Sequence, residues 1–329
     1  MRRALWLSGT LAVLALVAVA LPKLVNPYVF QIVILCGVNI MLSVSLNLIN
    51  GFTGQFSIGH AGFMAIGAYG SAMFSLHVGL RWVAAWTGAG VPPVAAEGTA
   101  LLIALVLGGL LAALSGYLVG LPTLRLRGDY LAIATLGFGE IIRVVITNVD
   151  AVGASRGLPG IPQWVNFFWV GVGVMAVIML SVHLANSTHG RALFAIRDDE
   201  VAAEALGVPT TSYKVMAFVL GAFFAGVAGG LFAHYLSYLN PNSFTFIKSV
   251  EVVVMVVLGG MGSVTGAVLA AIILTLLPEV LRPVKDYRMV IYSLMLIVLM
   301  ITRPGGLLGS REISMAWLLK RFRPARERA

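Results

Sequence analysis

The sequence predicts an all-α bundle of membrane-spanning helices, a polytopic transmembrane fold, on three observations. The chain has 329 residues, of which 59% are hydrophobic and 11% charged, and its mean hydropathy is +0.96. Apolar runs of about 18–25 residues recur along it, the length a helix needs to cross a bilayer. Neither barrel-type alternation nor a soluble-domain linker interrupts them, so the backbone must satisfy its own hydrogen bonds as helices. The 37 glycines suit such a bundle, because small residues let membrane helices approach closely.

The apolar segments fall at 5–21, 28–49, 56–79, 99–120, 130–148, 165–186 and 215–236, then over a long region at 244–281 and a last segment at 288–302. The first resembles a secretory signal, with Ala18 and Ala20 at a possible cleavage site. Because further spans follow at once, it reads instead as a retained span held by Arg2 and Arg3. Under the positive-inside rule, Arg2 and Arg3, the turn at Arg125 and Arg127, the polar island 191–214 and the arginine-rich tail all belong in the cytoplasm. Alternate crossings satisfy this only if 244–281 crosses twice, and the glycine-rich 258–266 (LGGMGSVTG) supplies the break. The expectation is about ten spans in one membrane domain over 1–303, a basic tail over 304–329, and both termini cytoplasmic. Re-entrant elements at 50–79 or 244–281 are the alternative at those points.

The segment 46–72 is polar and glycine-punctuated where apolar residues are expected. Its Gly51, Gly54 and Gly59 are echoed by Gly259, Gly262 and Gly266. Paired interruptions in the two halves of a membrane chain point to a transport pathway, since broken helices expose backbone groups to a cavity. Asn47, Asn50, Gln55 and Ser57 beside the first break either line a path for a zwitterion or hold helices together. His60 bonds across helices or titrates during transport, or is satisfied by a local carbonyl. Glu140 and Arg143, three apart in an apolar helix, face each other and line a gate or form a structural ion pair. Lys248 and Glu251 share that spacing and read as a pair at the outer boundary.

The polar island 191–214, within a loop over 187–214, holds the densest charge in the chain. A helix is expected over 198–206, capped by Asp198 and Asp199 and stopped by a left-handed Gly207 with Pro209 beyond it. Val201 with Ala205, and Ala202 with Leu206, stack into a small apolar side, while Glu200 and Glu204 form a second stripe. Such a helix is presented to something outside the bilayer, where the alternative is a plain solvated loop.

Several functions are excluded or disfavoured. The net charge of +9 is concentrated at the chain ends, where it sets topology rather than binding nucleic acid. The single Cys36 permits no intrachain disulfide. None of Lys23, Lys214, Lys248, Lys285 and Lys320 follows a glycine, so no phosphate-cradling motif exists and any ATP hydrolysis belongs to another chain. No metal-ligand spacing and no nucleophile–base set appears, which argues against a membrane enzyme. A stand-alone ion-coupled carrier would have a similar membrane signature and stays open.

Taken together, 46–72, 128–143 (GDYLAIATLGFGEIIR), 190–214, 258–266 and 303–309 (RPGGLLG) resemble the branched-chain amino-acid ABC transporter permeases, specifically the M-type of the two paired permease subunits. The resemblance covers nearly the whole chain. It implies a bacterial inner-membrane importer in which this chain pairs with an H-type permease. It further implies two cytoplasmic ATPase subunits, which use the ATP and Mg, and a periplasmic or tethered substrate-binding protein. This chain itself would bind no cofactor. The resemblance also implies that Arg191, Arg197, Asp198, Glu200, Val201, Glu204, Leu206 and Gly207 contact the ATPase. Urea and short-amide permeases share much of the pattern and are the alternative substrates.

Overall fold

The computed structural model describes residues 14–18, 20–22, 24–124, 128–284, 287–302 and 305–307. Arg2, Arg3, Arg125, Arg127 and nearly all of the tail therefore lie outside the described residues. Residues 14–18 and 20–22 are helical and lead into α1 (Pro27–Asn50). The Asn26 side chain caps α1 by accepting from the Tyr28 N–H, and Pro27 occupies the first helical position, where no N–H is needed. From Ile34 onward α1 is mostly buried, which makes it a central post of the bundle.

The chain continues through α2 (His60–Phe74), one π turn (Ser75–Gly79) and α3 (Leu80–Gly88), which form a single rod. After it come α4 (Pro93–Thr123), α5 (Asp129–Asn148) and α6 (Phe167–Ala185). Two short helices, α7 (Thr188–Asp198) and α8 (Glu200–Ala205), precede α9 (Thr210–Leu236). The last three are α10 (Phe246–Gly259), α11 (Val264–Val280) and α12 (Arg288–Thr302). A two-residue ribbon, β1 (Leu158–Pro159) against β2 (Tyr238–Leu239), ties the α5–α6 connection to the end of α9 with Leu158 opposite Leu239.

Among the described residues, seven helices are long and apolar enough to cross a membrane, and α11 is a shorter apolar helix. The fold is an all-α, multi-pass membrane bundle; the expected ten spans exceed the seven that length and composition support.

Small residues let the central helices approach closely. On α9, Gly226 faces Gly67 of α2 so closely that a Cβ on Gly67 would overlap the Gly226 backbone. One turn on, a Cβ on Gly229 would overlap the Met64 carbonyl oxygen. Gly108 of α4 lies against the Gly67 carbonyl and completes a three-helix seam. Without a hydrophobic force between helices in lipid, this close approach and its dispersion contacts hold the bundle. Phe63 and Phe218 meet edge to face at 5.4 Å where the seam widens.

Two breaks interrupt the bundle, and they touch. Residues 51–59 are not helical, so the span expected at 56–79 begins only at His60. The Asn50 side chain replaces helical bonding there, accepting the Ser57 N–H at 3.2 Å and donating to the Ser57 carbonyl at 3.3 Å. The second break, at 260–263, separates α10 from α11 as the glycines predict. Its Gly262 N–H donates to Asn47 Oδ1 at 2.8 Å, and Gly51 lies against it. The glycine echo in the sequence is thus a physical contact. Beyond α12, the Leu307 N–H donates to the Leu258 carbonyl at 2.7 Å, which returns the chain to the end of the bundle where the two breaks meet.

Candidate translocation path and coupling surface

The starts of α2 and α10 meet inside the bundle. The Ala61 N–H donates to Ser249 Oγ at 3.1 Å, and the Ile58 N–H donates to Thr135 Oγ1 of α5 at 3.1 Å. His60 is fully buried, and its Nε2 lies 2.8 Å from Ser45 Oγ on α1. The bond runs across helices, so the local-carbonyl alternative is wrong. Ser45 Oγ also donates to the Leu42 carbonyl at 3.0 Å. Around this break several buried polar atoms have no partner among the described residues: Asn47 Nδ2, both amide atoms of Gln55, Ser57 Oγ and His60 Nδ1. Buried polar atoms without partners are costly in an apolar phase. Their concentration at one break marks it as the polar centre of the bundle.

Glu140 and Arg143 pair at 2.8 Å, each side chain about one-third exposed. Glu140 lies beside Phe246 and Ser249 at the start of α10. Lys248 reaches Glu251 at 3.2 Å and Asn39 Oδ1 at 3.1 Å, and Asn39 donates to Thr275 Oγ1 at 2.9 Å. Asn39 stands midway along α1, so this pair belongs to the bundle's middle and not to the outer boundary expected for it. A lone charge within a span costs about 2.5–3.5 kcal/mol on insertion scales. Glu140→Gln should therefore lower the amount of folded protein more than the double change Glu140→Gln with Arg143→Gln. Additive effects in that cycle, read as folded protein surviving mild heating in detergent, would mean that the two charges act independently.

At the end where the breaks meet, Ser187 caps α7 by accepting the Gly190 N–H at 3.1 Å, and Arg191 is exposed on that helix. The expected helix over 198–206 is divided differently. Asp198 ends α7 and pairs with Arg197 at 3.2 Å. Asp199 alone caps α8, its Oδ1 accepting from the N–H groups of Val201 at 2.9 Å and Ala202 at 3.0 Å. The extended backbone of Asp199, with φ −158°, is what separates the two helices.

The acidic stripe is also corrected. Glu200 pairs within the chain with the buried Lys214 at 2.6 Å, while among the described residues Glu204 is exposed and has no ion-pair partner. Fourteen residues separate this pair, and no local pattern reveals it. The apolar side is as expected: Val201 is 63% and Leu206 85% exposed, while Ala203 turns inward. Gly207 takes φ +83° and ends the helix, as a glycine can without strain.

Arg197 joins this surface to the broken helices. Its Nη1 donates to the Gly51 carbonyl at 3.3 Å and lies against Gly262, and its guanidinium stacks on Phe194 at 5.1 Å. Phe194 in turn packs on Phe52 at 5.1 Å. A cavity of about 350 Å3 opens beside it, lined by Gln55, Arg197, Asp199 and Lys214 among others. Sequence reading also missed the buried His234 on α9. Its Nδ1–H donates to the Gly230 carbonyl at 2.8 Å, so Nε2 accepts from Ser75 at 2.7 Å, and Trp164 stacks on the ring. Its neighbours Phe232, Ala233, Tyr235 and Leu236 carry no local signal of the kind that SIGHAG gives at His60.

Broken apolar helices around a polar centre, with an amphipathic helix displayed at one end, define a membrane transport subunit. The chain belongs to the family described as "Branched-chain amino acid transport system / permease component", whose profile matches residues 28–301. It is 36% identical over 91% of its length to the high-affinity branched-chain amino acid transport system permease protein LivM of Escherichia coli, covering 74% of that protein. The LivM of Salmonella typhimurium matches equally, at 36% over the same shares. The E. coli permease protein LivH is 29% identical over 59% of this chain and 57% of its own. No solved structure matches the chain.

Proposed function

We propose that this chain is the M-type permease subunit of an ATP-driven importer of branched-chain amino acids in a bacterial inner membrane. The observation that carries the reading is the 36% identity to LivM over 91% of the chain, with the interrupted helices inside the matched region. A second permease of the LivH kind shares the path, two ATPases supply the energy, and a binding protein delivers the substrate. Ten crossings with both termini cytoplasmic fit the return of residue 307 to the end that holds α7 and α8.

In this reading α8 presents Val201, Leu206 and Glu204 to a groove on the ATPase, a helix-in-groove contact. ATP-driven closure pulls on α7 and α8, Arg197 carries the movement to the breaks at 51–59 and 260–263, and the spans rock around the polar centre. Asn47, Asn50, Gln55, Ser57, His60, Glu140 and Arg143 line the route. Affinity resides in the external binding protein, so the route needs only weak polar contacts that let the amino acid leave. The test is uptake into vesicles that hold this chain, its partner permease and the ATPases, with binding protein outside and ATP inside. Leucine should accumulate and urea should not. The purified chain alone should bind no nucleotide. Uptake without ATPase subunits would assign an ion-coupled carrier instead, and urea uptake would change the substrate.

A further inference from the structure

The outward faces of the spans are not alike. The exposed stretch of α4 from Leu102 to Leu121 is wholly without charge, presenting Leu110, Leu114 and Leu118. Lipid suits such a face. The exposed side of α5 also carries apolar residues, Ile133, Ile141, Val144 and Val145, but along its edge run Glu140 and Arg143, still about one-third exposed. Across a shallow cleft lined by Glu140, Phe246 and Ser249, the start of α10 presents Phe246 and Ile247 to the outside. One turn along α10, Glu251 is 45% and Lys248 22% exposed. The Glu140–Arg143 pair thus opens outward beside the start of α10, and the Lys248–Glu251 pair opens along the other edge of α10, where Lys248 reaches Asn39 halfway along α1.

Hydrocarbon cannot cover that side cheaply. Charged groups within spans face a bundle interior or a wet cavity, paired with something. Nor do they reach an interface by snorkelling, because each is tied sideways: Glu140 to Arg143, and Lys248 to both Glu251 and Asn39. The uncharged face of α4 shows that the chain has lipid-compatible surface elsewhere, so the charge is placed and not scattered.

We propose that the α5–α10 face is the surface on which the second permease subunit packs. This inference rests on the permease-pair reading above and gives it an address. The partner closes the outward side of both ion pairs, and the cleft between Glu140 and Ser249 becomes an enclosed, polar part of the seam between the two permeases. Ile141 and Ile247 form the apolar contact around it, as apolar neighbours keep lipid and water from a buried charged pair.

The experiment uses the complete transporter in native membranes. A photoreactive benzoylphenylalanine is placed singly at Ile141, at Ile247 and, as the lipid-facing control, at Leu118. All three are exposed, so the side chain is accommodated without repacking. After irradiation, Ile141 and Ile247 should give an adduct with the second permease, identified by mass spectrometry, and Leu118 should not. Co-purification of the second permease before irradiation tests the pairing itself. If the permeases co-purify and only Leu118 cross-links, or if Ile141 and Ile247 label lipid or another copy of this chain, the assigned face is wrong although the pair exists. If no second permease co-purifies, the pairing fails, and this inference with it.

Discussion

Gly229→Ala should remove most of the folded protein, whereas Gly137→Ala should leave it unchanged or slightly more stable. The methyl added at Gly229 would overlap the Met64 carbonyl oxygen and crowd the backbone of Ala68 on α2. Overpacking commonly costs about 1–3 kcal/mol when side chains can shift. Here a helix backbone would have to move, and α9 is also gripped by α4 along the same seam through Gly226 and Ala112. The cost should therefore lie at or above the top of that range. Gly137, on the outer part of α5, has nothing within 4 Å of the new atom. Replacing it with alanine gains about 1 kcal/mol of helix propensity in water, and less in a bilayer. Fluorescence-detected size exclusion after heating in detergent measures both. Equal thermal survival of the two variants would mean that α2 and α9 are not held by backbone-to-backbone packing.

The fold was legible in the sequence to the extent that hydropathy decides it. The apolar runs locate α1, α4, α5, α6 and α9, and LGGMGSVTG marks the break between α10 and α11. Position within a run was less legible. α2 starts at His60 because Asn50 and Ser57 bond each other across the 51–59 stretch, a choice of side-chain over helical bonding that hydropathy does not register. At the candidate sites, what was local could be read and what was distant could not. The Glu140–Arg143 pair, the Asp199 cap and the Gly207 stop follow from spacings of three to eight residues. The pairing of Glu200 with Lys214, of Lys248 with Asn39 and of Arg197 with Gly51 depends on which helices lie side by side, and no spacing rule encodes it. Asp198 was misread because two adjacent aspartates both suit a cap, and only the extended backbone at Asp199 selects one of them.

Arg197→Ala and Leu206→Asp should abolish uptake by opposite routes. Leu206 is 85% exposed, so its side chain is not part of the core of the described residues. A charge there should change the stability of the permease by no more than about 0.5 kcal/mol, as exposed sites usually do. If α8 sits in an apolar groove of the ATPase, however, the aspartate buries an unpaired charge in that contact. The ATPase should then be lost from the membrane, and uptake lost with it. Gly207→Val should act in the same sense more weakly, because a branched residue at φ +83° is strained by at least about 1–2 kcal/mol and tilts the helix it ends. Arg197 is different. It touches the Gly51 carbonyl and the Gly262 turn from the island side, so in the proposed function it serves the link to the first break. Removing it forfeits a charged hydrogen bond of about 1.5–3 kcal/mol between the island and the first break. The ATPase should stay bound and hydrolyse ATP, yet binding protein and substrate should no longer stimulate it, and transport should stop. Arg197→Lys should recover little, because a single ammonium cannot both stack on Phe194 and reach Gly51 as the planar guanidinium does. The measurements are ATPase retention, stimulated hydrolysis and uptake in vesicles with matched permease content. Normal stimulation and uptake with Arg197→Ala would place the link elsewhere in the island, and full ATPase retention with Leu206→Asp would remove α8 from the docking surface.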